Sequence, residues 1–183
     1  MEILLLLYLG HLLGDYPLQS NWVYKQKIKS FLGGLWHILD LLVAYLLCLT
    51  PFLYLPQIWT AILLVLIVHF FQDVAKINFN REMDHERESY FMDQFLHFFF
   101  STLIYFWILF PLGHLTPSFG ASFYLNPIWI IYAIGLVLVT YFVDVTQYVV
   151  SHPGQIVFKR NWKYIFQSAL LYSAIFGIYI YLS

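Results

Sequence analysis

Long apolar stretches alternate with short polar ones along this chain. The first, Ile3–Leu13, holds about 11 residues, roughly 17 Å as a helix, which is short of a hydrocarbon core of about 30 Å. It is expected either to run on through the polar Asp15–Trp22 region or to be a partial span packed in protein. Phe31–Leu55 predicts a second helix. Ile58–Ile77 predicts a third, joined to the second by a turn around Pro56. Phe91–Leu112, Ile128–Val150 and Tyr164–Leu182 predict the fourth, fifth and sixth. The stretch Asn78–Tyr90, NFNREMDHERESY, mixes both charge signs and predicts a short solvated hairpin between the third and fourth helices. The pattern gives an all-α polytopic membrane protein of about six transmembrane helices, with residues 1–183 as a single transmembrane helical domain. Neither an internal repeat nor a low-complexity segment interrupts it.

Composition sharpens this reading. Hydrophobic residues make up 61% of the 183 and charged residues 10%, and mean hydropathy is +0.72. A soluble domain carries about 25% charged residues, so too little polar surface remains for a water-facing shell. The net charge of -1 gives no reason to expect a nucleic-acid partner. The one cysteine, Cys48, excludes an internal disulfide and a thiolate-rich metal site. The start Met1-Glu2 lacks the basic region of a secretory signal, so the first apolar stretch reads as a retained helix.

All nine Lys and Arg residues fall in or beside alternate connections. Lys25, Lys27 and Lys29 lie between helices one and two. Lys76, Arg81 and Arg87 lie at the end of helix three and in the connection that follows it. Lys159, Arg160 and Lys163 lie between helices five and six. By the positive-inside rule those connections face the cytoplasm and both termini lie outside, as in a multi-pass protein of a bacterial cytoplasmic (inner) membrane. Most of the six tryptophans fall near helix ends, where interfacial anchors sit.

The carboxylates divide by type. Glu2, Glu82, Glu86, Glu88 and Asp84 belong to the terminus or a loop. Asp15, Asp40, Asp73, Asp93 and Asp144 lie within or at the ends of spans. A central membrane aspartate costs about 2.5–3.5 kcal/mol on insertion scales and normally has a partner or a task. The partners show in the spacing. Helix one has His11 and Asp15, helix three His69 and Asp73, and helix four the reverse, Asp93 and His97. Four residues apart, each pair shares one helix face. His37, three residues before Asp40, adds a fourth histidine. Because chain direction alternates, the reversal in helix four places the aspartate of each of these three pairs nearer the cytoplasm and its histidine deeper. Asp144, followed a turn later by Gln147, lies at the same inferred depth.

Imidazole and carboxylate are ligands of zinc, iron and manganese. One such pair alone reads most simply as an intramembrane hydrogen bond. Three pairs plus His37 at one depth favour metal. The expected ligands are His11, Asp15, His37, His69, Asp73, Asp93 and His97, with some aspartates orienting imidazoles instead. The expected cofactor is a divalent ion, zinc foremost, with iron or manganese as alternatives and with ligands enough for two ions. Asp15 and Asp93 are the candidate catalytic carboxylates. Gln19, Lys76 and Gln94 are the candidate substrate contacts, and Lys76 is equally suited to pairing with Asp73. His85 and His114 read as loop residues. His152, before Pro153-Gly154, reads as a loop residue within reach of the site. Lys25, Lys27, Lys29, Lys159 and Arg160 form a basic rim able to attract anionic headgroups.

The segments HLLGDYPLQ at His11–Gln19, WHILD around His37, HFFQDVAK at His69–Lys76 and DQFLH at Asp93–His97 resemble an uncharacterised family of small bacterial integral-membrane proteins, classed as a domain of unknown function. The resemblance covers about the first hundred residues and implies no activity. In His/Asp content the chain is loosely similar to predicted membrane-bound metal-dependent hydrolases.

The function these residues predict is a membrane-embedded metal-dependent hydrolase at the cytoplasmic interface. Its expected partners are membrane lipids, and its substrate a small molecule or lipid such as a lipid or polyprenyl phosphoester. A transporter or channel for metal ions or protons is one alternative. A haem or di-iron membrane oxidoreductase is another.

Overall fold

The computed structural model describes residues 2–83, 86–113, 115–116, 118, 126–152 and 159–182. No strand occurs among them. Helix α1 is Glu2–Leu13 and runs directly into a π-helical turn, Gly14–Leu18. Helix α2 is Asn21–Lys29, α3 Phe31–Leu49, α4 Pro56–Met83 and α5 Glu86–Ile104. A second π turn, Tyr105–Leu109, extends α5. Helix α6, Pro127–Val137, passes through a third π turn, Leu138–Phe142, into α7, Val143–Ser151. Helix α8 is Trp162–Leu182.

Five helical segments are long and apolar enough to cross a membrane: Phe31–Phe52, Pro56–Asn80, Arg87–Leu112, Pro127–Ser151 and Trp162–Leu182. Helix α1 is the sixth apolar helix, and its 12 residues are too few for it to qualify. It is instead enclosed by protein, packed against α3, α5 and α6. Its approach to α3 depends on Gly10 and Gly14, a small-residue pair four apart. A Cβ on Gly10 would lie 2.6 Å from the Tyr45 ring, and one on Gly14 3.0 Å from the Leu41 Cα. The buried core around this contact includes Leu7, Leu41, Tyr45, Leu49, Phe52 and Ile58.

Two elements differ from the hydropathy reading. The Lys25–Lys29 connection contains a real helix, α2. Ser20 caps its start by accepting from the Val23 N–H, and the Ser30 hydroxyl then caps α3 by accepting from the Gly33 N–H. The elbow between the two helices is so tight that a Cβ on Gly33 would overlap the Gln26 carbonyl. The expected solvated hairpin Asn78–Tyr90 is also mostly helical, since α4 runs to Met83 and α5 starts at Glu86. Its Arg, Glu and Met residues are good helix formers even where they are too polar for lipid. At 28 residues α4 is about 42 Å long, so it extends beyond the hydrocarbon core. His85 and His114 lie outside the described residues.

Candidate metal centre

Four helices bring the seven expected ligands into one buried cluster. The Nε2 atoms of His37 and His69 lie 3.0 Å apart. Asp15 Oδ1 is 3.1 Å from the first and 3.4 Å from the second. Asp73 Oδ2 is 3.6 Å and 3.2 Å from the same two atoms. Four ligand atoms, from the π turn after α1, from α3 and from α4, thus lie close together, with five edges of 3.0–3.6 Å. A tetrahedron with zinc-like arms of about 2.0 Å has edges of about 3.3 Å.

His11 and His97 extend the cluster. Their rings stack at 4.9 Å between centroids, and the His97 ring stands edge-on to His69 at 3.9 Å. His97 Nδ1 donates to the Asp93 carbonyl one turn earlier, which leaves its Nε2 facing inward. His97 Nε2, both ring nitrogens of His11, Asp15 Oδ1 and Asp93 Oδ1 are buried without a hydrogen-bond partner in the protein. Buried polar atoms are almost always paired, so unpartnered atoms on four of the clustered residues mark a place where the chain offers ligands to something else. Three groupings have ligand atoms within 4.8 Å of one another: His11, Asp15 and His69; His37, His69 and Asp73; and Asp73, Asp93 and His97.

The aspartates and histidines are layered. Asp15 and Asp93 line a cavity of about 290 Å³. His11, His69 and His97 lie behind them against Val65, Val68, Phe100 and Ile104, where there is no room for water. Polar side chains hold the carboxylate layer. Gln19 Nε2 donates to His37 Nδ1 at 2.9 Å. Gln94 Nε2 reaches Asp15 Oδ2 at 3.4 Å and Asp93 Oδ2 at 3.3 Å. Lys76 Nζ donates to Asp93 Oδ2 at 2.7 Å, so it pairs across to α5 and not with Asp73 on its own helix. Asp73 Oδ1 pairs instead with Lys27 Nζ at 2.6 Å. All three candidate substrate contacts, Gln19, Lys76 and Gln94, line the cavity.

The remaining polar residues of the spans lie elsewhere. Asp40, one turn beyond His37, is only partly buried and joins none of the three ligand groupings. Asp144 accepts from the Asn161 N–H, and Gln147 is exposed. His152 stacks on Tyr148 at the cavity wall.

Three features escaped the sequence reading. Lys27, grouped there with the outer rim, sits inside on Asp73, because α2 folds back over α3. Tyr90 joins the opposite wall, bonding Tyr16 and Thr146 at 3.0 Å each. Arg160, also assigned to the rim, is half-buried and donates to the carbonyls of Pro17 (3.2 Å), Tyr16 (2.6 Å) and Gln19 (2.7 Å). Partial burial draws its guanidinium pKa below the usual value, and it remains a cation. These carbonyls lack helical partners because the chain leaves the π turn at Pro17-Leu18. The one signal available in sequence was Gly10-His-Leu-Leu-Gly14, which marks α1 as a helix meant to pack closely.

Together these features define an all-α polytopic membrane protein whose helices enclose a histidine–aspartate cluster at the closed end of a polar cavity. The chain belongs to the family described as "Protein of unknown function (DUF3307)", which its residues 3–123 match. That segment contains all seven clustered residues, together with Gln19, Lys27, Lys76 and Gln94. Neither the curated proteins nor the solved structures contain a match.

Proposed function

We propose that this protein is a membrane-embedded metal-dependent hydrolase acting at the cytoplasmic membrane interface on a lipid or polyprenyl phosphoester. The supporting observation is the set of four ligand atoms, His37 Nε2, His69 Nε2, Asp15 Oδ1 and Asp73 Oδ2, spaced at 3.0–3.6 Å. Catalytic zinc sites hold the ion with three protein ligands and keep one position open. His37, His69 and Asp73 make such a set. Asp15, which also faces the cavity, then stands beside the open position. A divalent ion at this point would supply hydroxide near neutral pH by lowering the pKa of its water.

The chain's own groups account for the rest. Asp15 accepts the water proton as the new P–O bond forms. Asp15 then passes that proton to the leaving oxygen as the old P–O bond breaks, while Asp93, the second carboxylate in reach, stays ionised against Lys76. Gln19 holds the His37 ring at Nδ1; for Nε2 to ligate an ion, Nδ1 has to carry the ring proton and donate it to the Gln19 amide oxygen, with the amide turned end for end. Asp93 and His97, grouped with Asp73, would give a second ion a place beside the first. Zinc, iron and manganese all suit these ligands. The basic connections at this end of the helices support a cytoplasmic site in a bacterial inner membrane, with both termini outside, as the positive-inside rule favours.

The test begins with elemental mass spectrometry on detergent-purified protein. One or two ions per chain are expected in the wild type and none in His69→Ala or Asp73→Ala. Metal-loaded protein is then offered phospholipids and polyprenyl phosphates. Release of a phosphate or headgroup is expected, abolished in Asp15→Asn. If no ion is held after reloading, or if loaded protein cleaves nothing in the panel, this reading is wrong.

A further inference from the structure

The two lysines nearest the cluster are each committed to a carboxylate that the metal site also uses. Asp73 gives Oδ1 to Lys27 at 2.6 Å and turns Oδ2 towards His37 and His69. Asp93 gives Oδ2 to Lys76 at 2.7 Å, and its Oδ1, turned towards His97 Nδ1 at 3.4 Å, has no hydrogen-bond partner. Both ammonium groups line the 290 Å³ cavity. Three carboxylates, Asp15, Asp73 and Asp93, face these two lysines, leaving one negative charge in excess, while Arg160 is matched by Asp144 nearby. One divalent ion reverses that sign. It also competes with the lysines for the aspartate electron pairs, which frees their N–H groups to turn into the cavity.

We propose that Lys27 and Lys76 form a metal-gated phosphate site. Without an ion they serve as counter-cations to Asp73 and Asp93. With an ion bound they become the donors that hold a phosphate-bearing anion over the cluster. Asn80, whose side-chain oxygen is buried without a partner, also lines the polar cavity. A second cleft of about 270 Å³ begins on the other side of Lys27, lined by Ile28, Phe31, Phe70 and Val74. A phosphate at Lys27 therefore has an apolar slot beside it that would receive a hydrocarbon chain. This inference rests on the metal reading above, and it predicts an order of binding, metal before anion.

The test is calorimetric, on the full chain in detergent, stripped or zinc-loaded, with glycerol 1-phosphate and separately with phosphatidic acid in mixed micelles. Loaded protein is expected to bind, and stripped protein at least tenfold more weakly. Lys27→Met and Lys76→Met should keep the wild-type ion content and hold the ion at least as tightly, yet lose at least tenfold in phosphate affinity. Lys76→Arg should retain most of the binding. Tighter binding of phosphatidic acid than of glycerol 1-phosphate would assign the anion to lipid, and equal binding to a soluble ester. The inference is overturned if stripped and loaded protein bind phosphate equally, if the Met variants lose the ion, or if their phosphate affinity is unchanged. Should the wild type hold no ion, both readings fall. Should it hold the ion but bind no phosphate ester, this one alone falls.

Discussion

Helices α1 and α8 are both strongly apolar, yet they occupy opposite environments. The 12 residues of α1 are packed on several sides, and Leu7, Leu12 and His11 are almost wholly buried. The 21 residues of α8 leave Phe166, Leu171, Ile175 and Tyr181 exposed, and Ile165 is its one buried residue among those described. Apolar character therefore means two things in this chain. On α8 it is solubility in lipid, and exposed side chains there are at home. On α1 it is packing in protein, with glycines for close approach and a polar end that carries His11 and Asp15 into the cluster. Lipid cannot satisfy a buried imidazole, so a short helix with functional polar groups has to be enclosed.

This contrast can be tested in order of expected effect. The largest should come from the ion. Chelation is expected to lower the thermal midpoint of the wild type by the equivalent of about 4 kcal/mol when the ion is present at a thousandfold excess over its Kd. His69→Ala should show no response to chelator. Next comes Gly14→Leu. Its side chain would meet the α3 backbone, and overpacking of that kind costs about 3 kcal/mol, measurable as a lower unfolding midpoint in detergent. Arg160→Ala removes three donated hydrogen bonds from the turn after α1. It is expected to cost about 2 kcal/mol and to weaken ion binding by shifting Asp15 and Gln19. The smallest effect should be that of Gly177→Leu on α8, where nothing lies within 4 Å of an added Cβ. There the midpoint should stay within about 0.5 kcal/mol of wild type. A large effect at Gly177 together with a small one at Gly14 would invert the picture.

Much of the architecture was legible in the sequence because lipid imposes long apolar runs. Phe31–Leu55, Phe91–Leu112, Ile128–Val150 and Tyr164–Leu182 lie close to observed segments. The clustering of His11, Asp15, His69, Asp73, Asp93 and His97 followed from four-residue spacing and alternating chain direction. What was missed depends on long-range folding. Hydropathy does not see α2, a polar helix set by caps at Ser20 and Ser30. It also stops at Ile77, although α4 continues and brings Asn80 to the cavity wall. The partners of Lys27, Lys76 and Arg160 lie on other helices, so no local spacing encodes them. Asp40 shows the converse: spacing alone paired it with His37, but it is only partly buried and joins none of the ligand groupings.

The closed floor behind the histidines has a kinetic consequence. His11, His69 and His97 rest on Val65, Val68, Phe100 and Ile104 with no space for water between them. No water-sized passage runs on behind the histidines, so whatever reaches the aspartates through the cavity meets the cluster from one side only, and an occupant that lingers there holds up the next.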